Sequence, residues 1–313
     1  MLLPYKVPGN VRFALLLRLF WFGETASYAE ISSILPPQIA GDLLSCKMIE
    51  REGDACVPQC MLVPFGRLLL ACDSVRRVQG GESVDLVLGV DTPTKILANS
   101  LITRSGAKVL DLGTECGTLA LVACRSALSV TASDVNPRAL GFTEFNAALN
   151  GIANLQTRLG DRFEPVEEEE FDLIACNPPF FLTPKARLLY TDNPAELDSF
   201  VEELARMAPR FLKQGGFFQM LCEWVELEDK PWRDRLKGWF KGSGCDILIL
   251  KAYEMGPVNY VLTRAGESAS LYGDASEERL LEHIEYFRGH CVGKVFGGLI
   301  TMRRRTGENW LLF

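Results

Sequence analysis

Four short apolar runs, Ala107–Leu112, Ser129–Ser133, Gln156–Leu159 and Phe171–Cys176, are separated by helical stretches, and each ends abruptly in polar, glycine or proline residues. Strands alternating with helices in this way imply a parallel sheet, because parallel neighbours need a crossover, usually a helix, to return the chain. Three further strands are expected, at Gly216–Cys222, Cys245–Lys251 and Gly298–Arg303, the last after a helix over Glu277–Phe287. The acidic run Glu167–Glu170 reads as a solvated loop before the fourth strand.

The strand ends carry the chemistry. The first leads through Asp111-Leu112-Gly113-Thr114-Glu115-Cys116-Gly117 into a helix, and its glycines allow a tight turn and a close backbone approach to a ligand. The second ends in Ser133-Asp134-Val135-Asn136, which places a carboxylate about twenty residues on, where a ribose diol is held in nucleotide-binding sheets. The third ends in Gly160-Asp161-Arg162-Phe163. The fourth ends in Asn177-Pro178-Pro179-Phe180. Each proline there removes a backbone donor and stops the strand, while restricting the residue before it to extended backbone. Carbonyls and the Asn177 side-chain oxygen are then presented as acceptors beside an aromatic face, a good grip for a planar –NH2 group.

Before this region, residues 1 to about 80 read as a separate unit. A helix is expected from Val11 to Phe22, and a second opens at Ser27 with Glu30 three residues on, a capping-box pattern. After Pro36-Pro37 a third helix is expected over Gln38–Met48; a strand and turn over Met48–Val57 would pair with Met61–Pro64. Three helices followed by a β-hairpin is winged-helix order. Duplex DNA binding is disfavoured, since residues 1–85 hold eight Lys/Arg against nine Asp/Glu and the third helix offers only Lys47.

With a net charge of −7 and a pI of about 5.2, no global attraction draws the chain to nucleic acid. Ten cysteines lie scattered without a C-x-x-C pair, and only His283 and His290 are available beside them. They read as reduced core thiols of a cytoplasmic protein with no metal, the Cys56/Cys60 spacing being a weak hint otherwise. The apolar run Phe13–Phe22 contains Arg18 and falls well short of the roughly 20 residues of a membrane span. No small-residue cleavage site follows it, so neither a membrane partner nor a signal peptide is expected.

The series of four strand ends resembles the class I S-adenosylmethionine-dependent methyltransferases, in particular the branch with the small methyltransferase domain, over about residues 85–305. The resemblance implies an α/β fold: a Rossmann-like, mostly parallel sheet with a terminal antiparallel strand, preceded by the small winged-helix-like α+β domain. Domains are expected at 1–80 and 81–313, with an insertion at about 254–294. The cofactor implied is S-adenosylmethionine, leaving as S-adenosylhomocysteine. Its pocket would comprise Asp111, Gly113, Thr114, Glu115, Gly117, Asp134, Val135, Asn136, Asp161, Arg162 and Asn177. Of these, Asp134 would take the ribose hydroxyls, Asp161 the adenine amino group, and the loop the methionyl part. Leu88–Thr94 resembles the segment that roofs the cofactor. Glu115 departs from the family pattern, which has glycine there; its charge would favour the sulfonium or ammonium, or crowd the carboxylate.

Asn177, Pro178, Pro179 and Phe180 are the catalytic residues that the resemblance implies, gripping the acceptor nitrogen for direct in-line methyl transfer. Two N–H acceptors, the Asn177 oxygen and the Pro178 carbonyl, would aim the nitrogen lone pair, with Phe180 stacking on or flanking the acceptor plane. Two acceptor classes fit: a protein glutamine, as in the release-factor methyltransferases, with a translation factor or ribosomal protein as partner; or an exocyclic amine of RNA or DNA, adenine N6 or guanine N2, unpaired or flipped. A non-catalytic cofactor-binding protein is the third reading. Lys185, Arg187 and the Arg303-Arg304-Arg305 cluster are expected either to meet phosphates or acidic side chains, or to be solvated surface.

Overall fold

The computed structural model describes residues 10–74, 77, 85–185, 192–193, 195–272 and 276–313, the backbone alone for 266–272. The boundary expected at 80/81 and the expectation for Arg187 fall outside these residues.

The first unit holds α1 (Val11–Phe20), β1 (Ala26–Ser27), α2 (Tyr28–Ile34), α3 (Pro37–Ser45), β2 (Ile49–Glu52) and β3 (Ala55–Pro58). Its strands form a small antiparallel sheet of order β1-β3-β2. Ser27 Oγ accepts the Glu30 N–H at 3.1 Å and caps α2, as its pattern implies. One expectation is corrected: the partner of β2 is β3, not Met61–Pro64. Gly53, at φ 67, closes that hairpin immediately, and Pro58-Gln59 ends it. Residues Cys60–Phe65 (β4) pair instead with Leu68–Asp73 (β5) through a second turn at Gly66, φ 58.

This second hairpin is fastened to the main sheet domain. Asn146, fully buried, accepts the Ala71 N–H at 2.6 Å and donates to the carbonyls of Ala71 at 2.9 Å and Cys116 at 2.8 Å. One amide thereby ties the hairpin, a helix and the glycine loop together.

The main domain comprises α4 (Thr92–Ser100), β6 (Lys108–Leu112), α5 (Thr118–Ala123), β7 (Ser129–Asp134), α6 (Pro137–Leu149), β8 (Leu155–Leu159), β9 (Phe171–Cys176), α7 (Ser199–Met207) and β10 (Leu212–Leu227). It continues with α8 (Trp232–Phe240), β11 (Cys245–Met255), α9 (Pro257–Tyr272), α10 (Glu277–Gly289), β12 (Val292–Arg304) and β13 (Leu311–Leu312). All seven expected strands are present, in an eight-stranded sheet of order β13-β11-β12-β10-β9-β6-β7-β8. The sheet is parallel from β8 to β10, and β12 lies antiparallel between β10 and β11. The antiparallel strand is therefore late in the chain but interior to the sheet.

Side-chain alternation divides the core between the two faces. Leu110, Leu112, Ile174 and Cys176 pack with Phe200, Leu204, Leu236 and Trp239 of α7 and α8. Val109, Val130 and Leu173 pack on the other face with Ala120 and Leu121 of α5 and with Leu68 and Leu70 of β5. Helices on both faces leave the strand ends as the open edge, where α/β sheets bind ligands. The expected insertion is an αα-hairpin, α9 and α10, between β11 and β12. No helix among the described residues is long and apolar enough to cross a membrane.

The basic and acidic surface runs have specific partners. Arg303 lies over the Phe217 ring, Arg304 bonds Glu170 and the Leu212 carbonyl, and Arg305 pairs with Asp246. Arg303 also pairs in register with Phe217, near the start of β10, which puts this cluster at the sheet edge opposite Asn177. Glu169 departs from the solvated-loop expectation: it binds Lys108 and Arg158, and the Lys108 ammonium holds its carboxyl below the usual range. Cys46 and Cys291 depart from the expected buried thiols by being exposed; the other eight cysteines are buried.

Candidate active site

The site is assembled by strand register. Leu112 sits opposite Ser133 on one side and Cys176 on the other, and Asp134 sits opposite Leu159. Residues immediately beyond, Gly113, Asp134, Gly160-Asp161 and Asn177, therefore share one edge. The switch from rightward to leftward winding occurs between β6 and β9, so Gly113 and Asn177 flank the crevice that such a switch opens.

The loop after β6 is a run of left-handed residues: Gly113 at φ 76, Glu115 at φ 49 and Gly117 at φ 85. A Cβ on Gly117 would lie 2.9 Å from Leu121 Cδ1 and Thr143 Cγ2, whereas one on Gly113 would meet nothing within 4 Å. The first glycine faces open space and the last is clamped by packing. The loop is hung from β7 by two bonds to the Ser133 carbonyl, from Gly113 N at 2.9 Å and Thr114 N at 3.0 Å.

Carboxylates gather beneath it. Asp111 is fully buried; its Oδ2 accepts from Thr114 Oγ1 at 2.7 Å and Ala120 N at 2.9 Å, while Oδ1 has no partner. Burial pushes this carboxyl up to about 7. Asp134 accepts the N–H of Glu115 on Oδ2 at 3.0 Å and that of Asn136 on Oδ1 at 2.9 Å, and burial raises it too. Each oxygen keeps acceptor capacity for a diol. Beside it Val135 is 47 % exposed, an apolar surface next to the Asp134 carboxyl.

Two expected cofactor residues have structural work. The Asn136 side chain caps α6, accepting the Arg138 N–H at 3.0 Å, and donates to the Asp85 carbonyl at 2.9 Å. Arg162 pairs with Glu203 on α7 at 3.1 Å and lies over the Phe200 ring. Asp161 stays half exposed at its strand end, 3.4 Å from the Arg162 guanidinium.

At the end of β9, the Asn177 Nδ2 donates to the Thr94 hydroxyl at 3.1 Å. Its Oδ1 is buried and has no donor in the structure. Thr94 is itself buried in the first turn of α4, which Asp91 caps by accepting the Thr94 N–H at 2.7 Å. Pro178 is buried and Pro179 half-buried. Phe180 is only 6 % exposed and belongs to the α7/α8 face of the core, so its ring forms a wall beside Asn177.

Several residues around the site were not anticipated. Thr94 lay in the roofing segment but had no assigned role. The insertion grips the chain just past Phe180: Leu182 donates its N–H to the Tyr260 hydroxyl at 3.0 Å, and its carbonyl accepts from His283 Nε2 at 2.6 Å. Tyr260 donates onward to Glu223 at 2.6 Å, a fully buried carboxylate that also binds Tyr253 and Arg264. The Arg264 guanidinium lies 3.8 Å above the Phe181 ring. A glutamate inside the apolar stretch Phe217–Val225 was the available signal for this network. Lys185 pairs with Glu282 of α10 at 2.7 Å.

The arrangement suits a cationic, diol-bearing ligand: orphaned acceptors, clustered carboxylates and a glycine facing open space. Residues 87–241 match the family described as "Methyltransferase small domain". A release factor glutamine methyltransferase of Xylella fastidiosa is 34 % identical over 46 % of this chain and 57 % of its own length. One from Cereibacter sphaeroides is 37 % identical over 39 % and 49 %. One from Aquifex aeolicus is 42 % identical over 36 % and 43 %. The chain thus spans about half the length of the curated relatives it matches. Among solved structures, TYW2 of M. jannaschii in complex with AdoMet is 14 % identical over 83 % of this chain and 95 % of its own, with a TM-score of 0.47.

Proposed function

We propose, from the premise that residues 87–241 are a methyltransferase small domain, that this protein is an S-adenosylmethionine-dependent N-methyltransferase acting on a planar nitrogen, most directly a protein glutamine side chain. The observation that carries the reading is the Asn177 amide, anchored through Nδ2 on Thr94 with its buried Oδ1 left unpartnered. A buried acceptor without a donor is costly unless a ligand supplies one.

The residues present fit the cofactor. Asp134 would hold the ribose diol, the Gly113–Gly117 turn would take the methionyl part, and Asp161 with Val135 would border the base. When bound, the cofactor supplies an electrophilic methyl on a positively charged sulfur. The chain's own part is positioning. Asn177 Oδ1 and the Pro178 carbonyl accept the two hydrogens of an amide –NH2, turning its plane so that the lone pair faces the methyl carbon. These bonds strengthen as positive charge grows on nitrogen, which makes them differential toward the transition state. Phe180 and the roof segment around Thr94 keep water from the reacting atoms. No strong base is needed before transfer, since the N–H proton becomes acidic only once the methyl has moved.

A glutamine acceptor is supported by relatives that are named for it. The runner-up, an exocyclic amine of RNA or DNA, rests on the first unit's order of three helices and a β1-β3-β2 sheet. We assign residues 1–80 and 81–313 to separate units, the former docking the acceptor macromolecule. Transfer of a tritiated methyl group into cell extract, divided by protease and nuclease sensitivity, tests the choice. Protease-sensitive label supports glutamine, and nuclease-sensitive label rejects it.

A further inference from the structure

Neither Pro178 nor Pro179 carries an N–H, so the turn after β9 has no backbone donor at the two positions that follow Asn177. The place of the Pro178 carbonyl relative to Asn177 Oδ1 therefore depends on how the two ends of the turn are held. One end is Asn177, tied to Thr94 of α4 at 3.1 Å. The other is Phe181-Leu182, where the ties come from the αα-hairpin. Leu182 donates its N–H to the Tyr260 hydroxyl of α9 at 3.0 Å, and its carbonyl accepts from His283 Nε2 of α10 at 2.6 Å. Side chains of the insertion thus hold both backbone polar groups of one residue.

A buried acid aims the Tyr260 hydroxyl. Tyr260 donates to Glu223 at 2.6 Å, and a carboxylate only accepts, so the phenol oxygen turns its lone pairs to the Leu182 N–H. Met220 is the last residue of β10 in register with β9, opposite Cys176, and Glu223 lies further along the strand, level with the turn. Tyr253 of β11 reaches Glu223 across Gly297 of β12: the three stand in one row of the sheet, and a Cβ on Gly297 would overlap the Tyr253 ring. Arg264 of α9 pairs with Glu223 and lies 3.8 Å from the centroid of the Phe181 ring, which Phe180 meets edge-on at 5.4 Å. Apolar residues could fill this volume at lower cost. The hydrogen bonds add what packing lacks, a fixed direction at Leu182.

We propose that Tyr260 and His283 are positioning residues for methyl transfer: through them the α9/α10 insertion aligns the far end of the Asn177–Phe180 turn with the end anchored on α4. This rests on the N-methyltransferase reading above. The two acceptors for the –NH2 hydrogens sit on adjacent residues. One is a side-chain oxygen fixed through Thr94, the other a backbone oxygen fixed through Leu182. Loosening Leu182 lets the Pro178 carbonyl drift while Asn177 stays, and the two oxygens no longer fit one planar amide. Because those bonds strengthen in the transition state, the loss falls on the rate at saturation. The ties at Leu182 are made neither to the Gly113–Gly117 loop nor to Asp134, so cofactor binding is spared.

Initial rates of transfer from methyl-tritiated S-adenosylmethionine to cell-extract protein, at varied extract concentration, test this with wild type, Tyr260→Phe, Thr94→Val and the double variant. Calorimetry counts the cofactor sites of each. Tyr260→Phe should lower the saturating rate about tenfold or more, with the half-saturating extract concentration and the cofactor affinity within about threefold of wild type and every cofactor site retained. The double variant should lose less than the product of the single losses, since both ends belong to one grip. His283→Ala and His283→Gln form a second arm that stands if Tyr260→Phe does not fold. Glutamine can still donate to the Leu182 carbonyl and should recover most of the rate that alanine loses. An unchanged saturating rate in Tyr260→Phe and His283→Ala, a loss matched by lost cofactor sites, or single effects that simply multiply overturns the inference alone. No transfer by a wild-type protein that binds the cofactor overturns the N-methyltransferase reading, and the inference with it.

Discussion

Asn177 and Thr94, 83 residues apart in sequence, meet through a 3.1 Å bond from the amide Nδ2 to the hydroxyl oxygen. That bond commits the amide nitrogen to Thr94 and leaves the oxygen as the end without a donor, the end that a planar –NH2 would meet on the reading proposed above.

Thr94→Val removes the hydroxyl at nearly constant volume in a buried position. Methyl transfer should fall by about 10- to 100-fold, on the order of 1.4–3 kcal/mol of transition-state stabilisation. Cofactor affinity should stay within about threefold, since one hydrogen bond to a neighbouring group is the whole change. Initial rates of label incorporation, paired with calorimetry, separate the two effects.

Gly113→Ala and Gly117→Ala should fail in different ways. Both sit at positive φ, but only at Gly117 would the new Cβ press on Leu121 and Thr143. Gly117→Ala should lose roughly 2–4 kcal/mol of stability, from strain and overpacking together. Gly113→Ala should cost only about 1 kcal/mol, yet weaken cofactor binding because its methyl enters the open space. Denaturant titration and binding isotherms of both variants check the contrast.

Asp111 gives the unliganded protein a characteristic pH response. Its folded carboxyl lies at about 7, above the ordinary 3.8, because it is buried. The folded state therefore binds this proton more tightly than the unfolded chain. The stability it contributes is full below the ordinary value and is lost as pH rises toward about 7. Across that window wild type should lose stability relative to Asp111→Asn, with a limiting slope of about 1.4 kcal/mol per pH unit. Chemical denaturation of both proteins at several pH values gives the difference directly.

The strands and the polar sequences at their ends were legible because each is a local pattern: an apolar run, then Asp-Leu-Gly, Ser-Asp, Gly-Asp or Asn-Pro-Pro-Phe. What escaped was non-local. Thr94 meets Asn177 only through the packing of α4 over the strand ends, and the place of β12 between β10 and β11 is a choice of sheet order. Asn136 and Arg162 were assigned by position in a motif, but a cap on α6 and a partner on α7 claim their side chains. The hairpin error had a local cause. The apolar residues of β3 and β4 run together across Pro58-Gln59, concealing that two separate hairpins lie there.

Glu223 should prove the most sensitive charged residue outside the pocket. It has no solvent exposure and satisfies two tyrosine hydroxyls and Arg264, itself 16 % exposed. Glu223→Ala removes the buried carboxylate that the two hydroxyls and Arg264 share and should cost about 3–5 kcal/mol. Glu223→Gln keeps an acceptor for the hydroxyls and should cost less. Hydrogen exchange at Leu182, whose N–H is held by Tyr260, should rise in both.

The most direct test of the central claim is transfer of label from methyl-tritiated S-adenosylmethionine to protein in cell extract, with wild type and Asn177→Ala compared at saturating cofactor. The account predicts protease-sensitive label from wild type that acid hydrolysis releases as methylamine, the fate of a methylated glutamine amide. It predicts at least about a hundredfold slower transfer by Asn177→Ala, with cofactor still bound. Equal transfer by the two proteins, or no transfer by a wild-type protein that binds the cofactor, would contradict it.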